Sequence, residues 1–193
     1  MPAFFITMIY INGQVDELDL DSALAMVSVQ RREQALKFRH ERGKRLCLAA
    51  YLLLMDALRA EYGLSEPPVF DYSPEGKPFI AARPDIHFNL SHSGNVAICA
   101  VSDRPVGVDV EVPRRITPSL IAYTMNLEEQ ARISASPDPA MCFLAYWTQK
   151  EALLKLTADG IRNSMKEVLS QPDHYKIETV KTDSFVYSVA QYR

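Results

Sequence analysis

Leu46, Ala49, Ala50, Leu53, Leu54, Ala57 and Leu58 recur at the helical period, and Gly63 stands where a helix of that length would close on a left-handed residue. A helix with so broad an apolar stripe must bury it against a neighbouring layer. Strand-like segments are available on both sides of it. Phe4 to Ile11 is β-branched and aromatic and ends at Asn12-Gly13, a turn signal. Pro67-Pro68 opens an extended region whose turn, Ser73 to Pro78, contains Gly76, free to take positive φ. Ile86-His87-Phe88 reads as a short strand running into a polar loop, Asn89 to Asn95. Val96 to Ser102 and Val106 to Val112 flank the turn Asp103-Arg104-Pro105 and are expected to form a hairpin.

The same order of elements then begins again. Leu120 to Arg132 carries helical signals, Ser134 to Pro139 is a loop, and Ala140 to Leu156 is a strong helix. Tyr175 to Val180 and Ser184 to Gln191 read as a closing hairpin. Residues 1–105 and 106–193 therefore each hold one major helix and several strands, an α+β chain of two similar α/β halves. No residue-level repeat accompanies the repeated order, and no flexible linker separates the halves.

Composition narrows the function classes. The chain has 193 residues, 48% hydrophobic and 23% charged, which argues against wholesale disorder. Its net charge of -3 lacks the basic footprint of a nucleic-acid binder. Cys47, Cys99 and Cys142 are far apart, have apolar neighbours and form no metal-type pair, so they read as buried free thiols in a reducing compartment. The apolar N-terminus lacks a basic leader, and no stretch approaches the ~20 apolar residues of a membrane span. The expectation is a soluble, cytoplasmic protein.

Four short motifs carry candidate chemistry. In Val106-Gly107-Val108-Asp109-Val110-Glu111 the strand alternation turns the valines inward and puts Asp109 and Glu111 on the other face. At that spacing, about 7 Å along the strand, two carboxylates can converge on one divalent cation; a solvated acidic face is the plain alternative. In Tyr146-Trp147-Thr148-Gln149-Lys150-Glu151 and on to Lys155, Glu151 and Lys155 share a helix face, either as an ordinary ion pair or as a third oxygen ligand beside a phosphate contact. Phe88-Asn89-Leu90-Ser91-His92-Ser93-Gly94 offers hydroxyl and imidazole donors beside a permissive glycine, as a phosphate-contacting turn would. Its Ser-His neighbours are no nucleophile dyad by themselves. Gly76-Lys77-Pro78 adds a charged turn, and cations concentrate from Arg31 to Arg45, where they either line a solvated helix face or receive an anion.

Taken in order, Gly-Lys-Pro at 76–78, the Ser91-His92 segment, the Asp109 and Glu111 strand and the Trp147 to Lys155 helix resemble the 4′-phosphopantetheinyl transferase superfamily. The likeness is to its surfactin-synthetase-activating branch, in which two halves lie in one monomeric chain, and it spans residues 31–160. That resemblance implies a pseudo-twofold fold with coenzyme A and Mg²⁺ bound between the halves. It implies that a serine of an apo acyl or peptidyl carrier protein attacks the β-phosphate, giving holo carrier protein and adenosine 3′,5′-bisphosphate. By matching motif it makes Asp109, Glu111 and Glu151 the metal ligands, with Glu151 also able to accept the serine proton. Lys155 would contact the diphosphate, Ser91 and His92 the phosphates, and Lys77 with its turn the adenine and 3′-phosphate. Arg31 and Arg45 fall where the family places basic phosphate contacts. Two departures stand out: Gln34 where a second basic residue is usual, and Gly160 alone where a glycine pair is usual. A magnesium-dependent coenzyme A diphosphate hydrolase and a non-catalytic binder of coenzyme A or carrier would share these motifs.

Overall fold

The computed structural model describes residues 7–158 and 165–193; the expected strand start at Phe4, and Gly160, lie outside the described residues. The first half runs β1 (Met8–Asn12), α1 (Leu20–Met26), α2 (Val29–Leu36), α3 (Glu41–Tyr62), a small hairpin of β2 (Phe70–Tyr72) and β3 (Pro78–Ile80), then β4 (His87–Ser93) and β5 (Val96–Ser102). The second runs β6 (Val106–Glu111), α4 (Pro118–Thr124), α5 (Leu127–Ala135), α6 (Pro139–Thr157), β7 (Tyr175–Lys181) and β8 (Val186–Tyr192). Each half closes an antiparallel three-stranded sheet in which the first strand pairs with the last: order β1-β5-β4 and order β6-β8-β7. The element order thus repeats in three dimensions, as a pseudo-twofold α+β fold.

Local chemistry accounts for the helix boundaries. Asp19 and Ser28 accept backbone N–H groups at the starts of α1 and α2, and Asp138 does so for α6, which has Pro139 in its first turn. Gly63 closes α3 at φ 65, a conformation glycine adopts without strain. The stripe of α3 places Tyr51, Leu54 and Leu58 with Phe88, Cys99 and Val101 of the first sheet. Helix α6 lays Ala152 and Leu156 against Ala190 of the second. The sheets are joined by an apolar cluster in which Val96, Ile98 and Ala100 meet Val106, Val108 and Val110.

Several sequence expectations are corrected. The basic stretch after Gln30 contains α2, started by the Ser28 cap, and α3 begins at Glu41 rather than at Leu46. Leu120 to Arg132 is two helices, because Asn126 and Glu129 form a reciprocal capping box that starts α5 afresh. β5 and β6 are not a hairpin: both edges of β5 are taken by β1 and β4, and the chain crosses at Pro105 to pair β6 with β8. The polar Asn89–Asn95 segment is strand through Ser93, with the turn confined to Gly94-Asn95. Gly94 has φ 57, and a Cβ there would meet Val112 at 2.6 Å.

Candidate functional site

The strand β4 from the first half and β6 from the second run side by side at the centre of the molecule. A cavity of about 430 Å³ opens over this seam, with Arg31, Phe70, Ser91, His92, Asp109 and Lys155 among its walls. Both halves therefore contribute cations to one cleft, and the second contributes the acid.

Asp109 is the hinge of the site. Its Oδ1 accepts from Lys155 Nζ at 2.7 Å and from Ser91 Oγ at 2.8 Å. Its Oδ2 is buried and has no hydrogen-bond partner. The plain alternative, a solvated acidic face, does not describe Asp109: residues 106 to 110 are buried and Asp109 is 6% exposed. Gly107 is what lets Lys155 reach it: a Cβ at that position would lie 2.0 Å from the backbone oxygen of Ala152, so only glycine lets β6 press this closely on α6. The glycine inside a strand pattern was the available signal for that approach.

Lys155 also donates to Val108 O at 3.2 Å and Ser91 Oγ at 3.0 Å. Glu111 receives Ser93 Oγ at 2.7 Å on Oε2, with Arg114 Nε 3.7 Å from the same atom. Burial raises the Glu111 carboxyl above its ordinary value, against the Ser93 hydrogen bond, and the charge of Asp109 raises it further. Glu151, one helical turn before Lys155, is raised first by burial and then by Asp109, with Lys155 offsetting and Glu111 adding. The charge of Asp109 thus reaches both of the other acids. They do not close into a preformed cage: among the described residues, no group of three His, Cys, Asp or Glu could hold an ion by itself. The donor set still suits a hard divalent cation, which takes few protein carboxylates and completes its shell with phosphate oxygens and water. The buried, unpartnered Oδ2 of Asp109 is the observation that favours that fit.

Arg31 is buried at 8% exposure, with its guanidinium over the rings of Tyr51 and Phe70. One terminal nitrogen donates to Gln34 Oε1 at 3.0 Å and Cys47 Sγ at 3.4 Å, while Nε is buried without a partner. Gln34, read in the sequence as a missing cation, instead orients the one that remains. Burial pushes the His92 imidazole below its ordinary value, and Lys155 and Arg31 add to the effect. Lys77 and Arg45 stand elsewhere. The ammonium of Lys77 donates to Val106 O and Leu156 O, both at 3.2 Å, although its neighbour Pro78 lines the cleft. Arg45 is held by Leu18 O at 3.0 Å and Glu41 at 3.1 Å.

Two more residues escaped the sequence reading. Ser93 joins the site only once its segment is a strand, because alternation then aligns it with Ser91. Lys150 stands in the helix motif without an assigned role: it is wholly buried and paired with Glu129 at 2.6 Å, a contact that needs the tertiary placement of α5.

Comparison with known proteins returns a consistent picture. The family described as "4'-phosphopantetheinyl transferase superfamily" matches residues 105–192, and "4'-phosphopantetheinyl transferase, N-terminal" matches residues 14–104. A 4'-phosphopantetheinyl transferase of Bacillus subtilis is 30% identical over 176 residues, covering 88% of this chain and 79% of its own length. The 4'-phosphopantetheinyl transferase Sfp of Bacillus subtilis strain 168 is 26% identical over 185 residues, covering 93% and 83%. The 4'-phosphopantetheinyl transferase HetI of a Nostoc species is 34% identical over 154 residues, covering 75% and 65%.

Proposed function

Since this chain belongs to the 4′-phosphopantetheinyl transferase superfamily, we propose that its cleft moves the 4′-phosphopantetheine moiety of coenzyme A onto a serine hydroxyl of an apo carrier protein. The observation that carries this reading is the meeting of Arg31 from one half with Lys155 and the acid Asp109 from the other across a single cavity. Cations from both halves lining one cleft with a carboxylate fit a metal-bridged diphosphate better than they fit a neutral substrate.

In the proposed reaction the carrier serine oxygen bonds to the β-phosphorus of coenzyme A and the bond to the bridging oxygen breaks. Adenosine 3′,5′-bisphosphate leaves, and the serine proton is released. Such a transfer asks chiefly for positioning and for charge neutralisation. Lys155, next to Asp109, would hold the diphosphate, and Ser91, His92 and Arg31 would hold phosphate oxygens. Asp109, Glu111 and Glu151 would hold Mg²⁺, which when bound polarises the diphosphate. Glu151, half-buried one helical turn before Lys155, would accept the serine proton, directly or through a water. Lys77 with its turn, and Arg45, would contact the nucleotide through donors beyond those that now hold Val106 O, Leu156 O and Leu18 O.

Residues 1–105 would contact the nucleotide and residues 106–193 would supply the acids and the helix behind them. One chain supplies both walls, which favours action as a monomer. Among the described residues no helix is long and apolar enough to cross a membrane, and the three cysteines are free, in keeping with action in a cytoplasm. The discriminating experiment follows coenzyme A with and without an apo carrier. Bisphosphate release that requires the carrier supports transfer; equal release without it makes the protein a hydrolase, and none in either case makes it a binder.

A further inference from the structure

We infer that Ser93 is a positioning residue for the carboxylate pair, acting through a ladder of side chains that joins β4 to the free edge of β6. Three alternate residues of β4 accept three alternate backbone N–H groups of the neighbouring strand. Val108 N donates to Asn89 Oδ1 at 2.9 Å, Val110 N to Ser91 Oγ at 3.4 Å and Val112 N to Ser93 Oγ at 3.4 Å. The rungs advance together by two residues, so β4 and β6 run parallel and the acids are locked in register with the opposite half.

The two serine rungs do more than satisfy the edge. A hydroxyl has one proton and two lone pairs. Once a lone pair has taken the backbone N–H, the proton is left to point elsewhere. In both serines it points at the acid one position earlier on β6: Ser91 at Asp109 Oδ1, 2.8 Å, and Ser93 at Glu111 Oε2, 2.7 Å. The second contact of each acid falls on the same oxygen, from Lys155 for Asp109 and from Arg114 for Glu111. One oxygen of each carboxylate is therefore tied and the other is presented. For Asp109 that other oxygen is buried and unpartnered. The carboxylates reach a divalent cation already rotated, and their orientation is set by the backbone of their own strand through the hydroxyls of the other half. Asn89 is the internal control, because it caps Val108 and touches neither acid.

This inference rests on the transferase reading, and the test separates the two. Mn²⁺ is titrated, in the presence of coenzyme A, into the full chain and into Ser93→Ala, Ser93→Thr and Asn89→Ala variants, with binding read by electron paramagnetic resonance and folding by thermal melts. Partners that orient metal ligands typically change affinity by 10–100-fold, so Ser93→Ala is expected to bind Mn²⁺ about 10-fold more weakly, with the KM for coenzyme A within about twofold of the parent. Ser93→Thr restores binding. Asn89→Ala lowers the melting temperature and leaves Mn²⁺ affinity unchanged; Asn89→Ser replaces it if the alanine variant does not fold. Unchanged Mn²⁺ affinity in Ser93→Ala overturns the inference, as does an equal loss in the Asn89 variant. A parent protein that binds Mn²⁺ yet transfers nothing to a carrier overturns the transferase reading and leaves the positioning role standing.

Discussion

Lys150 and Lys155 stand on the same helix, and each directs its ammonium at three oxygens, one of them from a carboxylate. Lys150 donates to Glu129 Oε2 at 2.6 Å, Met165 O at 2.8 Å and Thr124 O at 2.9 Å. Lys155 donates to Asp109 Oδ1 at 2.7 Å, Ser91 Oγ at 3.0 Å and Val108 O at 3.2 Å. The Lys150 side chain is 0% exposed and that of Lys155 is 29% exposed. The first ties α4, α5 and the segment after α6 into the core, on a carboxylate oxygen that also accepts from Asn126 N in the capping box. The second has bonds of the same kind but opens on the cleft, where the proposed phosphate would replace them. Solvent access, more than the hydrogen-bond inventory, separates a structural lysine from a chemical one.

The largest effect should come from the open member. Lys155→Met is expected to lower the transfer rate about 10³-fold, the scale of losing one preorganised donor, or about 4 kcal/mol. Its melting temperature should fall less than that of Lys150→Met, because the Lys155 side chain is 29% exposed and water from the cleft can take its place beside Asp109. A collapse of the melt would make Lys155 structural and erase the distinction. Next in size, Lys150→Met strands a buried carboxylate and should cost about 3–4 kcal/mol in urea denaturation, with activity per folded molecule little changed. A loss below about 1 kcal/mol would mean that Glu129 does not depend on the pair.

Removing both partners sharpens the point. The double variant Lys150→Met with Glu129→Leu should cost less than Lys150→Met alone, since no charge is left unpaired; it loses the Glu129 half of the capping box and the donor to Thr124 O and Met165 O. Lys77 is a third case, with two carbonyl acceptors and no carboxylate. Burial pushes its ammonium down from 10.5 to about 8. The unfolded chain then holds more protons than the folded one between those two values, so stability should rise with pH across that window and not below it. Relative to Lys77→Met, the rise should be about 1–2 kcal/mol after solvent screening is allowed for. A flat difference would place that ammonium in water.

The helices α3 and α6 were legible because their apolar residues follow the helical period over several turns, and Gly63 marked an end that the structure keeps. The acids of β6 were legible as an alternating pair. Their burial was not, since alternation reports two faces and cannot say that the other sheet covers one and helix α6 the other. Asn89 to Ser93 looked like a loop for the same reason: polar residues on a strand usually face water, and here they face the edge of another strand. The duplication was hidden at the level of residues. Counted from the hairpin, Asp109 pairs with the third residue of β8 and Ile11 with the third of β5, so the position that carries the acid in one half carries an aliphatic side chain in the other. Only one of the two equivalent edges carries the acids of the proposed site, so the two halves do not match residue by residue there.

The central claim, that this cleft transfers phosphopantetheine, is tested most directly by the intact mass of an apo carrier protein after incubation with the protein, coenzyme A and Mg²⁺, run beside the Asp109→Ala variant. The account predicts a gain of one phosphopantetheine on the carrier with the parent protein and none with the variant at equal folded concentration. An unchanged carrier mass across fatty-acid, polyketide and peptide-synthetase carriers, or full modification by Asp109→Ala, would contradict it.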